Sequence, residues 1–232
     1  MLHGTTKFLL LSIGLTVGAT QAQAITFSIV AQSGDAAPAS DPFFSLVYDE
    51  LYRPSINDAG ETAFRATLEG SRGASVDNDE GIFNSQKALA RQGDLAISGY
   101  EGGPAFFNTF RNDVALNNSG DVAFAATLDG NVTVDDDSGV FSSNGLVARE
   151  GAAVPGAVSG TYSRFGGAPR LNNAGEVRFA AGSNTVRPGF FNSAGAVLNE
   201  QDVAPGTGGA KFQSLGDRFD FNDSGDMAFG AL

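Results

Sequence analysis

The chain of 232 residues is 42% hydrophobic and 10% aromatic, which supports a packed core and excludes wholesale disorder. Its 26 acidic residues outnumber its 14 basic residues and give a net charge of -12. Binding to nucleic acid, which needs Lys and Arg to neutralise phosphates, is therefore not expected. The 31 glycines and 8 prolines indicate many tight turns and short elements.

Residues 1–24 are predicted to form a secretory signal peptide. A polar start with Lys7 precedes an apolar stretch, Phe8 to Ala19, and a small-residue Ala-Gln-Ala sequence that ends at Ala24. The apolar stretch is too short for a membrane-spanning helix, which needs about 20 residues. We therefore expect a secreted, cell-surface or periplasmic protein with no membrane insertion after cleavage.

Cleavage after Ala24 removes His3, the single histidine of a chain that has no cysteine. A mature chain without His and Cys cannot contain a Ser-His-Asp triad, a cysteine nucleophile, a zinc site with His or Cys ligands, or a disulfide. Any catalysis would depend on carboxylates or on a cation held by oxygen ligands.

Four copies of one motif organise the rest of the chain. In each copy an apolar residue precedes Asn-x-x-Gly, which is followed by an acidic residue and, three residues later, by Phe. The spacings of 60, 55 and 50 residues between the asparagines are typical of a propeller blade or a solenoid unit. Asn as an acceptor and Gly with positive φ predict a tight hairpin turn, rather than an asparagine that faces a ligand. The copies begin at Asn57, Asn117, Asn172 and Asn222.

Other recurring segments predict four short strands in each unit. An aromatic residue stands ten residues before the last three asparagines, and Val47 takes that place in the first unit. Joints rich in Gly and Pro are expected to break strand pairing between units. The predicted single domain spans 25–232, with units at 39–96, 97–156 and 157–206 and a partial unit at 207–232. The recurring segments are Gly81–Phe83 with Ala88–Arg91, Gly139–Phe141 with Leu146–Arg149, and Gly189–Phe191 with Ala196–Asn199.

The strand after each turn has large side chains on one face and small side chains on the other. Val122 and Phe124 alternate with Ala123 and Ala125. This alternation favours sheets stacked face to face, in which the Phe of one sheet fills the space left by the alanines of its neighbour. The predicted fold is therefore all-β, with four-stranded antiparallel units in a β-propeller-like array, or alternatively a β-solenoid. The incomplete last unit predicts a truncated product or an open array that a partner completes.

With these motifs the chain resembles a bacterial family of exported proteins named for tandem N-x-x-G-x-x-A-F repeats and known as choice-of-anchor proteins. The resemblance covers about residues 29–232, and Arg178 replaces the alanine in the third copy. It implies a surface or extracellular β-repeat protein and brings no catalytic residues. The chain also resembles HAF-type extracellular repeats, which carry similar turns.

Two acidic loops share the pattern Asp-x-Asp-x-Gly, at 77–81 and 135–139. Clustered carboxylates suit Ca²⁺, which takes six to eight oxygen ligands. A solvated acidic loop is the alternative, because the glutamate at position twelve of an EF-hand loop is missing. No other cofactor is predicted. The candidate calcium ligands are Asp77, Asp79, Asp135 and Asp137.

The features above predict a non-enzymatic, secreted or cell-surface β-repeat scaffold that binds a surface protein or a glycan. A carboxylate-based glycan hydrolase or lyase is the alternative, although no catalytic pair can be selected among so many acids. The chain has no Trp and four Tyr, so the usual aromatic platforms for sugars are scarce. Its 19 phenylalanines are assigned to the core because they recur in register.

Overall fold

A computed structural model describes residues 9–14, 26–38, 46–70, 78–100, 103–184 and 187–232. Throughout these residues the secondary structure is β, and all strand pairs are antiparallel, which confirms the predicted all-β class. No helix in this described part has the length and apolar composition needed to cross a membrane.

Five sheets follow one another along the chain. The first contains β1 (Leu9–Gly14) and β2 (Thr26–Gln32). The second contains β3 (Val47–Leu51), β4 (Ser55–Ile56), β5 (Thr62–Glu69), β6 (Glu80–Asn84) and β7 (Ala88–Arg91). The third contains β8 (Leu95–Tyr100), β9 (Gly103–Phe110), β10 (Ala115–Leu116), β11 (Val122–Gly130), β12 (Ser138–Ser142) and β13 (Gly145–Arg149). The fourth contains β14 (Tyr162–Leu171), β15 (Val177–Ser183), β16 (Gly189–Asn192) and β17 (Gly195–Asn199), and the fifth contains β18 (Leu215–Phe221) and β19 (Met227–Ala231).

The three central sheets share one strand order. It runs β3-β5-β6-β7, then β9-β11-β12-β13, then β14-β15-β16-β17. The β18-β19 pair occupies the first two places of the same order. These four sheets, which we call the first to fourth units, confirm the predicted four strands for the first three. Strand β8 crosses the predicted boundary after residue 96, because the chain turns back at the joint and pairs with β9.

The strand β1 lies inside the predicted signal peptide and pairs with β2. The remainder of that segment, 1–8 and 15–24, lies outside the described residues. Cleavage after Ala24 would remove β1 and leave β2 in the mature chain. The signal peptide itself stays a prediction.

Each joint is a tight turn that hydrogen bonds to an aromatic residue near the start of the following unit. The Gly93 N–H donates to the Phe107 carbonyl at 2.8 Å, and the Phe107 N–H donates to the Asp94 carbonyl at 3.0 Å. The same two bonds recur at the other joints, and in the first unit they are made by Tyr48. The assignment of Val47 to this place is therefore wrong by one residue, because the first unit is one residue shorter before its asparagine.

The hydrophobic core lies mainly between consecutive units. Ala123 and Ala125 on one face of the second unit pack in one cluster with Phe179 and Phe191 of the third unit. Equivalent clusters join the first unit to the second and the third to the fourth. The predicted packing of a phenylalanine face on an alanine face is thereby confirmed.

Gln201 occupies a joint position at which the other three joints have glycine. Its φ is +70°, and it is the single non-glycine residue with positive φ among the described residues, whereas Gly34, Gly93 and Gly151 have φ of +89°, +82° and +75°. An L-residue in this left-handed conformation is destabilised by about 1 kcal/mol relative to glycine. We therefore expect Gln201→Gly to raise the free energy of unfolding by about 1 kcal/mol in urea titrations.

The matched control is the reverse substitution at the first joint, Gly34→Gln. A Cβ at Gly34 would meet no atom within 4 Å, so the change tests backbone strain without a steric clash. It should lower the free energy of unfolding by a similar amount, about 1 kcal/mol. A Gln201→Gly protein that is less stable than the parent would contradict the strain at Gln201.

Candidate functional site

The Asn-x-x-Gly motif forms the predicted hairpin turn. Asn57 Oδ1 accepts the N–H groups of Ala59 at 3.1 Å and Glu61 at 2.9 Å. Gly60 has φ of +79° and donates its N–H to the Asn57 carbonyl at 3.0 Å. Oδ1 of each of the other three asparagines likewise accepts the N–H of the acidic residue four positions later.

Two of these asparagines also bind the turn of the following unit, which the sequence did not predict. Nδ2 of Asn57 donates to the Asn117 carbonyl at 3.0 Å, and Nδ2 of Asn117 donates to the Asn172 carbonyl at 3.2 Å. These three asparagines are buried, at 8%, 3% and 5% exposure. The Asn57 and Asn117 side chains therefore link consecutive units as well as closing their own turns.

The next residue of each motif forms a second row of contacts. The N–H groups of Asp58, Asn118 and Asn173 donate to Oδ1 of the equivalent residue in the following unit, at 3.0, 2.8 and 2.8 Å. The last acceptor is Asp223, and the hydrogen bonds from the Asn173 side chain and backbone lower the pKa of its carboxyl group. We call the two rows together the asparagine ladder.

Two arginines that interrupt the small faces also contact the following unit. Arg65 forms a buried ion pair with Glu80 and donates to Asn112 Oδ1 at 2.9 Å. Arg178 donates to the Gly225 carbonyl at 2.8 Å. Both arginines therefore make polar contacts between units.

The position of Arg178 also shifts the pKa of a neighbouring acid, Glu176. Arg178 Nε lies 2.9 Å from Glu176 Oε1, and Asn192 Nδ2 donates to the same oxygen at 2.9 Å. Burial alone raises the pKa of Glu176, but these hydrogen bonds outweigh it and lower the pKa. Glu176 is therefore held as the ionised partner of Arg178.

The principal candidate site is a cleft of about 580 Å³, to which each of the four units contributes one arginine. A neighbouring cavity of about 380 Å³ shares some of these residues. The arginine cleft, as we call it, is lined by β14, by β18 and by the segments that follow β3 and β9. It contains more basic than acidic side chains. Its charged lining residues are Arg53, Arg111, Arg170, Arg218, Asp113 and Asp217.

Two of the four arginines are held by the protein and two face solvent. Arg111 Nη2 donates to the Phe165 carbonyl, and Arg170 Nε donates to the Phe219 carbonyl, each at 3.0 Å. Arg53 lies 3.7 Å from Asp113, with 76% of its side chain exposed. Arg218 is exposed, and its side chain forms no hydrogen bond or ion pair with any described residue. The Arg53 and Arg218 guanidinium groups are therefore available to a ligand.

A larger cavity of about 680 Å³ lies between two joints, 154–159 before the third unit and 199–202 after it. Its charged lining residues are two cations, Arg187 and Lys211, and two acids, Glu200 and Asp202. Because opposite charges balance there, this cavity has no preference for an ion of either sign, and the arginine cleft remains the principal candidate.

The structure places Asp79 on one loop and Asp135 and Asp137 on another. Asp77 lies outside the described residues. The Asp79 N–H donates to Gln92 Oε1 at 3.1 Å, and Asp135 is exposed. The described residues contain no cluster of three or more His, Cys, Asp or Glu side chains suited to a metal ion.

In the second of these loops the buried acid is Asp136, which lies between the two predicted ligands. Asp136 is 8% exposed, accepts hydrogen bonds from Thr133 and lies 3.6 Å from Arg149. Arg149 and Thr133 therefore partner the inward-facing carboxylate. Calcium binding by Asp135 and Asp137 stays a prediction.

The comparison with known families finds one match. Residues 142–232 are similar to a family of unknown function, DUF7453. This segment is less than half of the chain and includes the third and fourth units, with Arg170 and Arg218. No curated protein and no solved structure matches the chain.

Proposed function

We propose that this chain is a non-enzymatic, secreted or cell-surface β-repeat protein that binds an acidic glycan in the arginine cleft. The observation that carries the proposal is the convergence of four arginines from four units in a chain of net charge -12. A planar guanidinium group offers paired N–H donors that match the two oxygens of a carboxylate or sulfate. The cleft therefore suits the charged groups of uronic acids or sulfated sugars.

The arrangement of the units supports a β-propeller-like array for this scaffold. In a propeller the inner strands of the blades surround a central channel. Here one cleft is lined by the first strands of the third and fourth units and by the segments that follow the first strands of the other two. The alanine and phenylalanine faces stack between units. A glycan bound there would contact several units at once, which favours an extended ligand over a small one.

The test measures binding of a uronate-rich polysaccharide and of a neutral polysaccharide by isothermal titration calorimetry. We expect the acidic polymer to bind, and Arg53→Gln with Arg218→Gln to weaken its affinity about tenfold or more, since each lost charge-assisted hydrogen bond is worth about 1.5 to 3 kcal/mol. The affinity should fall as salt is added.

The matched control removes two exposed cations elsewhere, Lys87→Gln with Arg164→Gln, and changes the net charge equally. It should leave the affinity within about twofold of the parent value, because neither residue lines the cleft and salt screens exposed cations that do not touch the ligand. Equal weakening by both double variants, or equal binding of the acidic and neutral polymers, would refute the arginine cleft as the site.

A carboxylate-based glycan hydrolase or lyase is a second candidate, because Asp113 and Asp217 line the same cleft. Two carboxylates about 5 to 9 Å apart across a glycosidic bond suffice for hydrolysis. Reducing-end and unsaturated-product assays on the polysaccharide that binds distinguish the two candidates. The enzyme would be established if the parent protein forms product and the double variant Asp113→Asn with Asp217→Asn forms none but still binds the polysaccharide.

A further inference from the structure

The arginine cleft continues into the neighbouring cavity of about 380 Å³. This side cavity, as we call it, shares Arg53, Asp113 and Arg170 with the cleft and extends from them along β4 and β10. The volumes of both sites lie within the range of about 300 to 1,000 Å³ that is usual for small-ligand sites. One extended ligand can therefore reach from the cleft into the side cavity.

The two sites differ in the charge of their linings. The cleft contains more basic than acidic side chains, whereas the charges of the side cavity balance. Arg111 and Arg218 line the cleft but not the side cavity, and Asp220 lines the side cavity but not the cleft. An anionic group is therefore attracted to the cleft and gains no net attraction in the side cavity. The charged lining residues of the side cavity are Arg53, Arg170, Asp113 and Asp220.

The two arginines of the side cavity already have partners in the protein. Arg53 lies 3.7 Å from Asp113. Arg170 donates through Nε to the Phe219 carbonyl at 3.0 Å and through Nη1 to the Pro169 carbonyl at 3.3 Å. A carboxylate in the side cavity would compete with Asp113 for Arg53 and would approach a second carboxylate, Asp220. Since like charges at short range repel, a second acidic group is disfavoured there.

The same two aspartates can accept hydrogen bonds from hydroxyl groups. The Asp113 side chain is 39% exposed. Asp220 is also exposed, and its Oδ1 accepts the Phe221 N–H at 2.9 Å. An ionised carboxylate has several acceptor positions, so each aspartate retains capacity for a ligand donor. A neutral sugar offers hydroxyl donors without a charge, and the side cavity therefore suits an uncharged sugar residue.

We infer that the ligand is a glycan in which acidic and neutral sugars alternate, with an acidic sugar in the arginine cleft and a neutral sugar in the side cavity. This inference rests on the proposed function, because it requires an acidic glycan in the cleft. Asp220 is then a specificity-determining residue. It acts by repelling a second acidic sugar, and such a repulsive contact discriminates between two ligands as effectively as an attractive one.

The experiment compares two polymers by isothermal titration calorimetry with the full chain, at equal concentrations of uronate. One polymer alternates glucuronate with N-acetylglucosamine, and the other contains galacturonate alone. We expect the alternating polymer to bind about tenfold more tightly to the parent protein, because only the uniform polymer places a carboxylate beside Asp220.

The polymers also differ in linkage, so the decisive quantity is the change in their affinity ratio on substitution. Asp220→Lys should strengthen binding of the uniform polymer about tenfold and abolish the advantage of the alternating one. Asp220→Asn, which keeps the shape of the side chain, should give an intermediate ratio. The matched control is Asp129→Lys, at an exposed aspartate that lines neither site; it should leave the ratio within about twofold of the parent value.

An affinity ratio that is the same in the parent, Asp220→Lys and Asp220→Asn would overturn the inference. If binding of both polymers were still weakened by Arg53→Gln with Arg218→Gln, the proposed function would stand without it. Failure of both polymers to bind the parent protein would refute the proposed function and the inference together.

Discussion

Replacement of Phe179 by alanine is expected to lower the free energy of unfolding by about 3 to 5 kcal/mol, the usual loss for a large buried aromatic side chain. Phe179 is 1% exposed, and its ring centroid lies 5.6 Å from that of Phe165 and 6.2 Å from that of Phe191. It belongs to the cluster that joins the second and third units, so the cavity would weaken the contact between units.

The matched control is Phe229→Ala, which removes the same motif residue from the partly buried fourth unit. It should cost about 1 to 2 kcal/mol, because less apolar surface is removed from water there. Urea titration of both variants measures the difference. Equal losses would show that the phenylalanine faces contribute through their own sheet and not through the neighbouring unit.

Replacement of Glu80 by alanine should have an effect of similar size. The Arg65 and Glu80 side chains are 12% and 6% exposed, so the variant leaves a buried guanidinium group without its counter-charge. Breaking a buried ion pair in this way costs about 3 to 5 kcal/mol. The Tyr52 ring, 4.1 Å from the guanidinium carbon, and Asn112 compensate only in part.

The double variant Arg65→Leu with Glu80→Leu separates pairing from burial. Because it removes both charges, it should recover most of the loss seen in Glu80→Ala. Asp113→Ala, which breaks the exposed pair with Arg53, should cost no more than about 1 kcal/mol. A double variant as unstable as Glu80→Ala would mean that the charges are not the source of the effect.

The recurring segments predicted the strands, the period of two predicted their two faces, and the Asn-x-x-Gly motif predicted the turns, because all of these depend on neighbours within one unit. Phe124 and Ala123, for example, lie on the predicted faces of β11. The roles of Arg65 and Arg178 could not be predicted in the same way. Their partners Asn112 and Gly225 belong to the following unit, and strand periodicity says nothing of how two units are placed against each other.

The arginine cleft escaped sequence analysis because its arginines stand at different offsets from the motif. Arg53 and Arg218 precede their asparagines by four residues, whereas Arg111 does so by six and Arg170 by two. The register of β14 shifts between Gly166 and Arg170, and that of β3 shifts between Tyr48 and Leu51. Such bulges re-aim side chains locally, and no feature of the residue pattern marks them.

The asparagine ladder bears on how the gene for such a chain can change length. Each turn carries both the donor for one neighbour and the acceptor for the other, as Asn117 does between Asn57 and Asn172. An in-frame duplication or deletion of one motif period would therefore restore the same contacts at the new junction wherever an asparagine stays beside each aspartate of the ladder. Recombination between motif copies can thus vary the number of units while each surviving interface keeps its chemistry.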